Sequence, residues 1–524
     1  MKKQSRPTMA PDRPLVTVAT ALAVLLGMFF LATQPSGPFT TDSAQSAVED
    51  PPPEEPQPLP AVGEPDGQTV VAADAVEGLE EEELAHDGDL TTQVNYPRLP
   101  HAEPLSDFLD HTLAAEVDAF DAANPGARSY ETEWQLTAAH DDVLGVRLIS
   151  TETDSEGSRE GYATYWYDTR SGTVHGSSFL LGGQEHLEDL NTLVREEVGD
   201  AVNTSTIHPI ASLYDSVGFN PDGDLVVEFD TGQVAPTGEG RVHATIDRDE
   251  AEPLLSDLGV RVRDAATVGV ERFGVAGPPE ADKDGVAEGA PGVLSPVDDD
   301  VDCSDPETKC VALTYDDGPG GGTPALLDTL AEYDARATFF VTGYPLMENP
   351  TTLRRTYAEG HEIANHTLSH PDLSTLGAGS ARNDLEVVQA LVQREVGYTM
   401  DLIRPPYGAT DGGVASVTEE LGLAQILWSV DTHDWRDRDA SVVADRALDG
   451  AEDGAIILMH DIHDTTISAS HEIIRELDSR GYTMVTVTQL LGTTEPGEEY
   501  VDGASAEENE DTGDIDVASD DGGD

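Results

Sequence analysis

Between residues 310 and 487, seven short apolar runs alternate with six amphipathic stretches, and this alternation restricts the chain to very few architectures. The strand-like runs are residues 310–317, 337–343, 362–366, 402–407, 425–431, 455–460 and 482–487. The helical stretches between them cover 323–334, 351–360, 380–396, 413–421, 440–448 and 467–479. A helix between each pair of strands returns the chain to the same end of the sheet, so the strands run parallel. Seven such strands predict an α/β domain, either a (β/α) barrel or an open sheet, with its chemistry where the strands end.

Residue types at those ends can be read directly. The first strand finishes in Thr314, Tyr315, Asp316, Asp317, Gly318 and Pro319, and the third in His366-Thr367-Leu368-Ser369-His370. The fourth gives Arg404-Pro405-Pro406-Tyr407-Gly408, the fifth Asp431-Thr432-His433-Asp434-Trp435, and the sixth Leu458-Met459-His460-Asp461. Singly, each has an ordinary reading: Asp-Gly is a turn signal, His-x-x-x-His usually means nothing, and Arg-Pro-Pro-Tyr makes a rigid loop. Five of the seven ends bearing acids, histidines and an arginine are a poor way to finish a purely structural sheet.

The flanking segments differ in character. Residues 1–14 carry Lys2, Lys3, Arg6 and Arg13, and residues 15–33 hold no charge. This predicts a single transmembrane anchor with everything after it outside the cell; secretion after signal cleavage is the alternative. Residues 34–95, rich in Pro, Glu and Asp, read as a disordered acidic linker. Residues 96–273 read as a smaller α+β extracellular domain, with a helix over 105–123 and strands at 130–138, 143–150, 162–168 and 225–229. Residues 274–302 form a second linker, 303–491 the catalytic domain, and 492–524 a disordered acidic tail. Cys303 and Cys310, the only cysteines, fit no zinc spacing. Outside the membrane a disulfide is favoured, with two free thiols as the other reading.

Charge bears on partners. The chain has 102 acidic and 28 basic residues, a formal net charge of −74, and its only lysines are Lys2, Lys3, Lys283 and Lys309. The excess is not confined to tails, because residues 301–490 hold 32 acids against 12 bases. No basic stripe exists to neutralise phosphates, so nucleic acid is excluded as a partner. Self-repulsion of this size predicts a halophilic protein that salt stabilises by screening.

The five strand-end motifs together resemble the carbohydrate esterase family 4 deacetylases, also called the NodB-homology polysaccharide deacetylases. The resemblance covers about residues 303–491; Tyr315 stands where phenylalanine is commoner. It implies a distorted (β/α) barrel and a divalent metal, Zn²⁺ or else Co²⁺, Ni²⁺ or Fe²⁺, held by Asp317, His366 and His370. It further implies Asp316 as general base, His460 as general acid, Arg404 orienting Asp316, and Asp434 orienting His460. The Tyr407 backbone N–H would meet the oxyanion, and Tyr407, Trp435 and Leu458 would wall the acetyl pocket. Asp431 and His463 take support roles. Residues 96–273 more loosely resemble the extracellular domain ahead of some cell-wall deacetylases and in certain lysozyme-sensing anti-sigma factors. The stretches that carry this are 129–131, 167–172 and 224–229.

These resemblances imply a hydrolase removing N-acetyl groups from a polysaccharide, with N-acetylglucosamine of peptidoglycan as the leading substrate. Chitin-like chains or an exopolysaccharide are the second reading, and a catalytically inactive wall-binding or sensing protein the third. The sequence does not determine an oligomeric state.

Overall fold

The computed structural model describes residues 67–504, apart from scattered single positions and the stretches 278–289 and 297–300. The apolar segment 15–33 lies outside the described residues. Among those described, no helix is long and apolar enough to cross a membrane.

The first module is built on a six-stranded sheet of β1 (Glu80–Glu83), β2 (Thr91–Arg98), β3 (Ser129–His140), β4 (Val143–Thr153), β5 (Ser158–Asp168) and β6 (Thr173–Gly176), in that order. All neighbours are antiparallel except β2 and β3, which are joined through the helix Glu103–Ala123. Leu105, Leu109, Leu113, Val117 and Phe120 recur at helical spacing and are buried, which is why this segment crosses as a helix. A three-stranded antiparallel sheet follows: β7 (Ser216–Phe219), β8 (Leu225–Phe229) and β9 (Val242–Ile246).

One boundary needs correction. β1 and the first half of β2 fall inside 34–95, the stretch expected to be a disordered linker, so ordered chain begins well before residue 96. Four consecutive glutamates read as solvated coil, yet here they form the edge strand of the sheet. Arg98 pairs with Glu82 at 2.9 Å, and the Trp134 indole donates to Glu81 at 3.1 Å. Such a charged strand also discourages further edge pairing.

The second module contains β10 (Cys310–Asp316), β11 (Thr338–Val341), β12 (Glu362–Asn365), β13 (Leu402–Ile403), β14 (Ala424–Ile426), β15 (Val430–Asp431), β16 (Ala455–His460), β17 (Thr483–Val485) and β18 (Glu499–Tyr500). All their pairings are parallel, in the order β15-β16-β10-β11-β12-β13-β14-β18, with β17 against the start of β10. β14 and β15 are three residues apart in sequence but pair at opposite ends of that order, with β13 and β16 respectively. The segment 424–431 therefore bends the sheet round on itself, and the Ser429 N–H bridges to the Ile456 carbonyl at 3.1 Å. The result is a curled parallel sheet, a distorted barrel. β18 corrects a second boundary, because it lies in the expected acidic tail. Tyr500, buried at 1%, anchors it, and its hydroxyl accepts the Glu495 N–H at 2.9 Å.

Cys303 and Cys310 are joined as a disulfide at the start of β10. The two modules touch along the helices Pro350–Ala358 and Ala378–Val396. Arg394 pairs with Glu152 at 2.7 Å, Arg354 donates to the Gln233 carbonyl at 3.3 Å, and the Ser212 hydroxyl donates to the Glu395 carbonyl.

Candidate active site

The carboxyl ends of the barrel strands converge on one cavity of about 370 Å³. Asp316, Asp317, His366, His370, Tyr407, Trp435, Leu458 and His460 line it together with Pro405, Trp428 and Asp431. Every strand-end residue proposed from sequence is thus at the cavity or directly behind it. Arg404 and Asp434 are the two behind, and both are fully buried.

Asp317, His366 and His370 bring their ligand atoms within 4.8 Å of one another. The Asp317 Oδ1 lies 3.3 Å from His370 Nε2 and 3.6 Å from His366 Nε2. The His366 Nδ1 sits 2.6 Å from the Arg404 carbonyl, so that nitrogen carries the proton and Nε2 presents its lone pair to the cluster. Burial pushes the His366 pKa down to about 3, which keeps the ring neutral. Two imidazoles and one carboxylate form a nitrogen/oxygen donor set that fits a divalent transition metal.

Backbone strain concentrates here. Asp317, Thr367, His370, Tyr407 and His433 all have positive φ, between 53° and 72°. Left-handed backbone is costly for such side chains, above all for β-branched Thr367. Local hydrogen bonds hold it: Asn365 Oδ1 accepts the Thr367 N–H at 2.9 Å, and Thr367 Oγ1 accepts the His370 N–H at 2.9 Å. The Tyr407 ring, 71% exposed, packs edge-on against His370 with centroids 4.7 Å apart.

Beside the cluster, Asp316 is buried, and Arg404 Nη1 donates to its Oδ1 at 2.7 Å. Arg404 also donates to Thr314 Oγ1 and to the carbonyls of Ile426 and Leu427, and lies over the Phe340 ring at 4.0 Å. Its guanidinium is held rigidly on all sides. Burial raises the Asp316 pKa against the pull of Arg404 and His460. Desolvation, and not the charge of the adjacent Asp317, is the largest cause.

Across the cavity, His460 Nδ1 lies 2.8 Å from Asp434 Oδ1, and the His460 N–H donates to Asp434 Oδ2 at 2.8 Å. The Thr466 hydroxyl donates to the same Oδ2 at 2.6 Å. Burial alone would lower the His460 pKa, but the Asp434 hydrogen bond and the Asp316 charge lift it to about 9. Burial opposes ionisation of Asp434, yet His460 and Thr466 hold its pKa below the ordinary carboxylate range. One face of the cavity therefore holds a base of raised pKa, and the other a protonated imidazole.

Sequence reasoning missed Trp428 and Thr466, and it read Thr314 only as part of the first strand's end. Thr466 stands on the helix after His460 and Trp428 in the bend between β14 and β15, and no local pattern marks either. Asp461 was seen only as the neighbour of His460. Its buried carboxylate takes the Thr323 hydroxyl and supports the loop that carries Asp317.

A family model described as "Polysaccharide deacetylase" matches residues 304–426. The peptidoglycan-N-acetylglucosamine deacetylase PgdA of Listeria monocytogenes is 43% identical over 196 residues, 37% of this chain and 41% of that protein. The peptidoglycan-N-acetylmuramic acid deacetylase PdaC of Bacillus subtilis is 41% identical over 187 residues, 36% of this chain and 39% of that protein. The chitooligosaccharide deacetylase of Sinorhizobium fredii is 37% identical over 194 residues, 34% of this chain, and 90% of that protein is matched. The chain belongs to the polysaccharide deacetylase family. It spans only about two-fifths of the length of the two peptidoglycan enzymes.

Proposed function

We propose that this polysaccharide deacetylase removes acetyl groups from N-acetylglucosamine of peptidoglycan, using Zn²⁺ held by Asp317, His366 and His370. One observation carries the reading: the donor triad shares a single cavity with the Asp316–Arg404 and His460–Asp434 pairs. A bound divalent cation supplies positive charge that polarises the acetyl carbonyl and acidifies water. Asp316, oriented by Arg404, takes the proton of the attacking water. The Tyr407 backbone N–H donates to the developing oxyanion. His460, kept cationic by Asp434, gives its proton to the departing sugar amine. Trp435 and Leu458 confine the acetyl methyl and exclude bulk water.

Peptidoglycan is favoured by the names of the two relatives above 40% identity, and an outward-facing position by the charge-flanked apolar segment 15–33. The chitooligosaccharide relative supports a neutral glycan as the second substrate. The deciding measurement is acetate release by the purified full chain from peptidoglycan, chitin oligomers and acetylated xylan. Release from peptidoglycan that a chelator abolishes and Zn²⁺ restores is expected. No release from any of the three overturns the enzymatic reading. Fractionation tests the anchor: the chain should sediment with membranes, and a variant lacking residues 1–33 should not.

A further inference from the structure

Among the described residues of the second module, the arginines are almost all engaged. From residue 303 to 504, each arginine has a carboxylate within 4.0 Å except Arg438, for which none lies in range among the described residues. With 102 acids and 28 bases in the chain, an arginine of this module left unpaired stands out.

Its position is specific. Arg438 is exposed and ends the short helix Asp434–Asp437, whose second residue, Trp435, lines the cavity. This turn is bracketed by left-handed backbone at both ends, His433 at φ 53° and Arg438 at φ 51°. Strained non-glycine backbone persists where its surroundings enforce it. The positive charge of Arg438 is felt at His463, whose ring stacks on His460 with centroids 5.8 Å apart. Both neighbouring acids are committed elsewhere. Asp437 takes Arg436 at 3.0 Å and Arg446 at 2.5 Å, and Asp439 caps the helix Ala440–Gly450 through the Ser441 and Val442 N–H groups. The guanidinium therefore keeps its bidentate donor fork free on the turn that carries Trp435 into the cavity.

We propose that Arg438 is a specificity-determining residue that pairs with a carboxylate on a sugar, or its substituent, next to the N-acetyl sugar being processed. This rests on the deacetylase reading and deepens it. The substrate class would be an anionic glycan, with the carboxylate borne by a lactyl ether or by a stem peptide. An uncharged glycan would occupy the cavity without using Arg438. The chain's large negative field repels such a polymer at long range, so a local cation has most to contribute once salt has screened that field.

The test measures acetate release by the full-length Zn²⁺-loaded protein and its Arg438→Gln and Arg438→Lys variants. Three forms of soluble peptidoglycan strand are compared: intact, amidase-trimmed to leave the lactyl carboxylate, and with all carboxylates converted to methylamides. On intact strands if the stem peptide is the partner, or on trimmed strands if the lactyl group is, Arg438→Gln should raise KM by about fivefold, the scale of one exposed ion pair, with kcat held. Arg438→Lys should recover most of that loss, and on the methylamide strands all three proteins should agree. A loss confined to trimmed strands assigns the lactyl carboxylate, which intact strands carry as an amide, and a loss confined to intact strands the stem peptide. Equal losses on charged and neutralised strands, or no loss at all, overturn the proposal. Wild-type protein inactive on every strand would instead overturn the peptidoglycan reading beneath it.

Discussion

At the scale of single residues, Asp316 and His366 sit 3.7 Å apart yet carry separable duties. Asp316 is tied to Arg404 and lies outside the donor triad, whereas His366 directs a neutral nitrogen into it. Asp316→Asn should lose nearly all turnover and still bind Zn²⁺, while His366→Ala should lose both; parallel calorimetry and acetate assays check this. Equal metal loss in the two variants would contradict the division. His460 offers a test through pH. Its folded pKa of about 9 means that the acid is charged below that value and lost as pH rises through it. A bound cation's charge pulls that limb somewhat lower. Asp434→Asn leaves a single oxygen acceptor and removes a neighbouring negative charge, so burial is less opposed and depresses the pKa. The alkaline limb of kcat/KM should therefore move to lower pH, and an unmoved limb would mean that another group is the acid. These residues were legible in sequence because each stands at or just past a strand end, where chemistry and topology coincide. The desolvation that sets Asp316, and the Thr466 hydroxyl on Asp434, were not legible, since both depend on what distant segments bring near.

Among the elements, the loop between β10 and the helix Thr323–Glu332 does the most positioning. A Cβ on Gly318 would lie 2.2 Å from Asp461 Oδ1 and 2.4 Å from Oδ2, whereas one on Gly321 would meet nothing within 4 Å. Asp461 is buried and bonded by Thr323, so it cannot swing aside cheaply. Gly318→Ala should displace the loop and weaken Zn²⁺ binding at least about tenfold, at an overpacking cost of ~1–3 kcal/mol. Gly321→Ala serves as the control and should match wild type in calorimetry. The core strands of the barrel were readable because buried parallel strands are continuous apolar runs. β1 and β18 were hidden for the opposite reason. Each is short, acidic and at a sheet margin, so its identity comes from its partner: β2 with Arg98 for the one, and β14 with the Tyr500 pocket for the other.

For the whole molecule the dominant quantity is a net charge of −74. Attraction cannot offset it locally, because the bases are few and most already pair with particular carboxylates at the surface or between the modules. Exposed pairs of that kind contribute little each, while repulsion among the remaining acids adds over every separation shorter than the screening length. That length falls from about 10 Å at 0.1 M salt to about 3 Å at 1 M, so salt removes far more repulsion than attraction. The melting temperature of the purified chain should rise by several degrees between 0.1 and about 2 M KCl, with the metal site saturated throughout. Sucrose at matched water activity separates screening from solvent exclusion, since only the salt acts on charge. Buried pairs such as Arg404–Asp316 are shielded from the added ions and should keep their geometry. The pH limbs of turnover should accordingly shift much less than the melting temperature. A melting temperature flat in KCl would mean that the acid-rich surface carries no salt requirement.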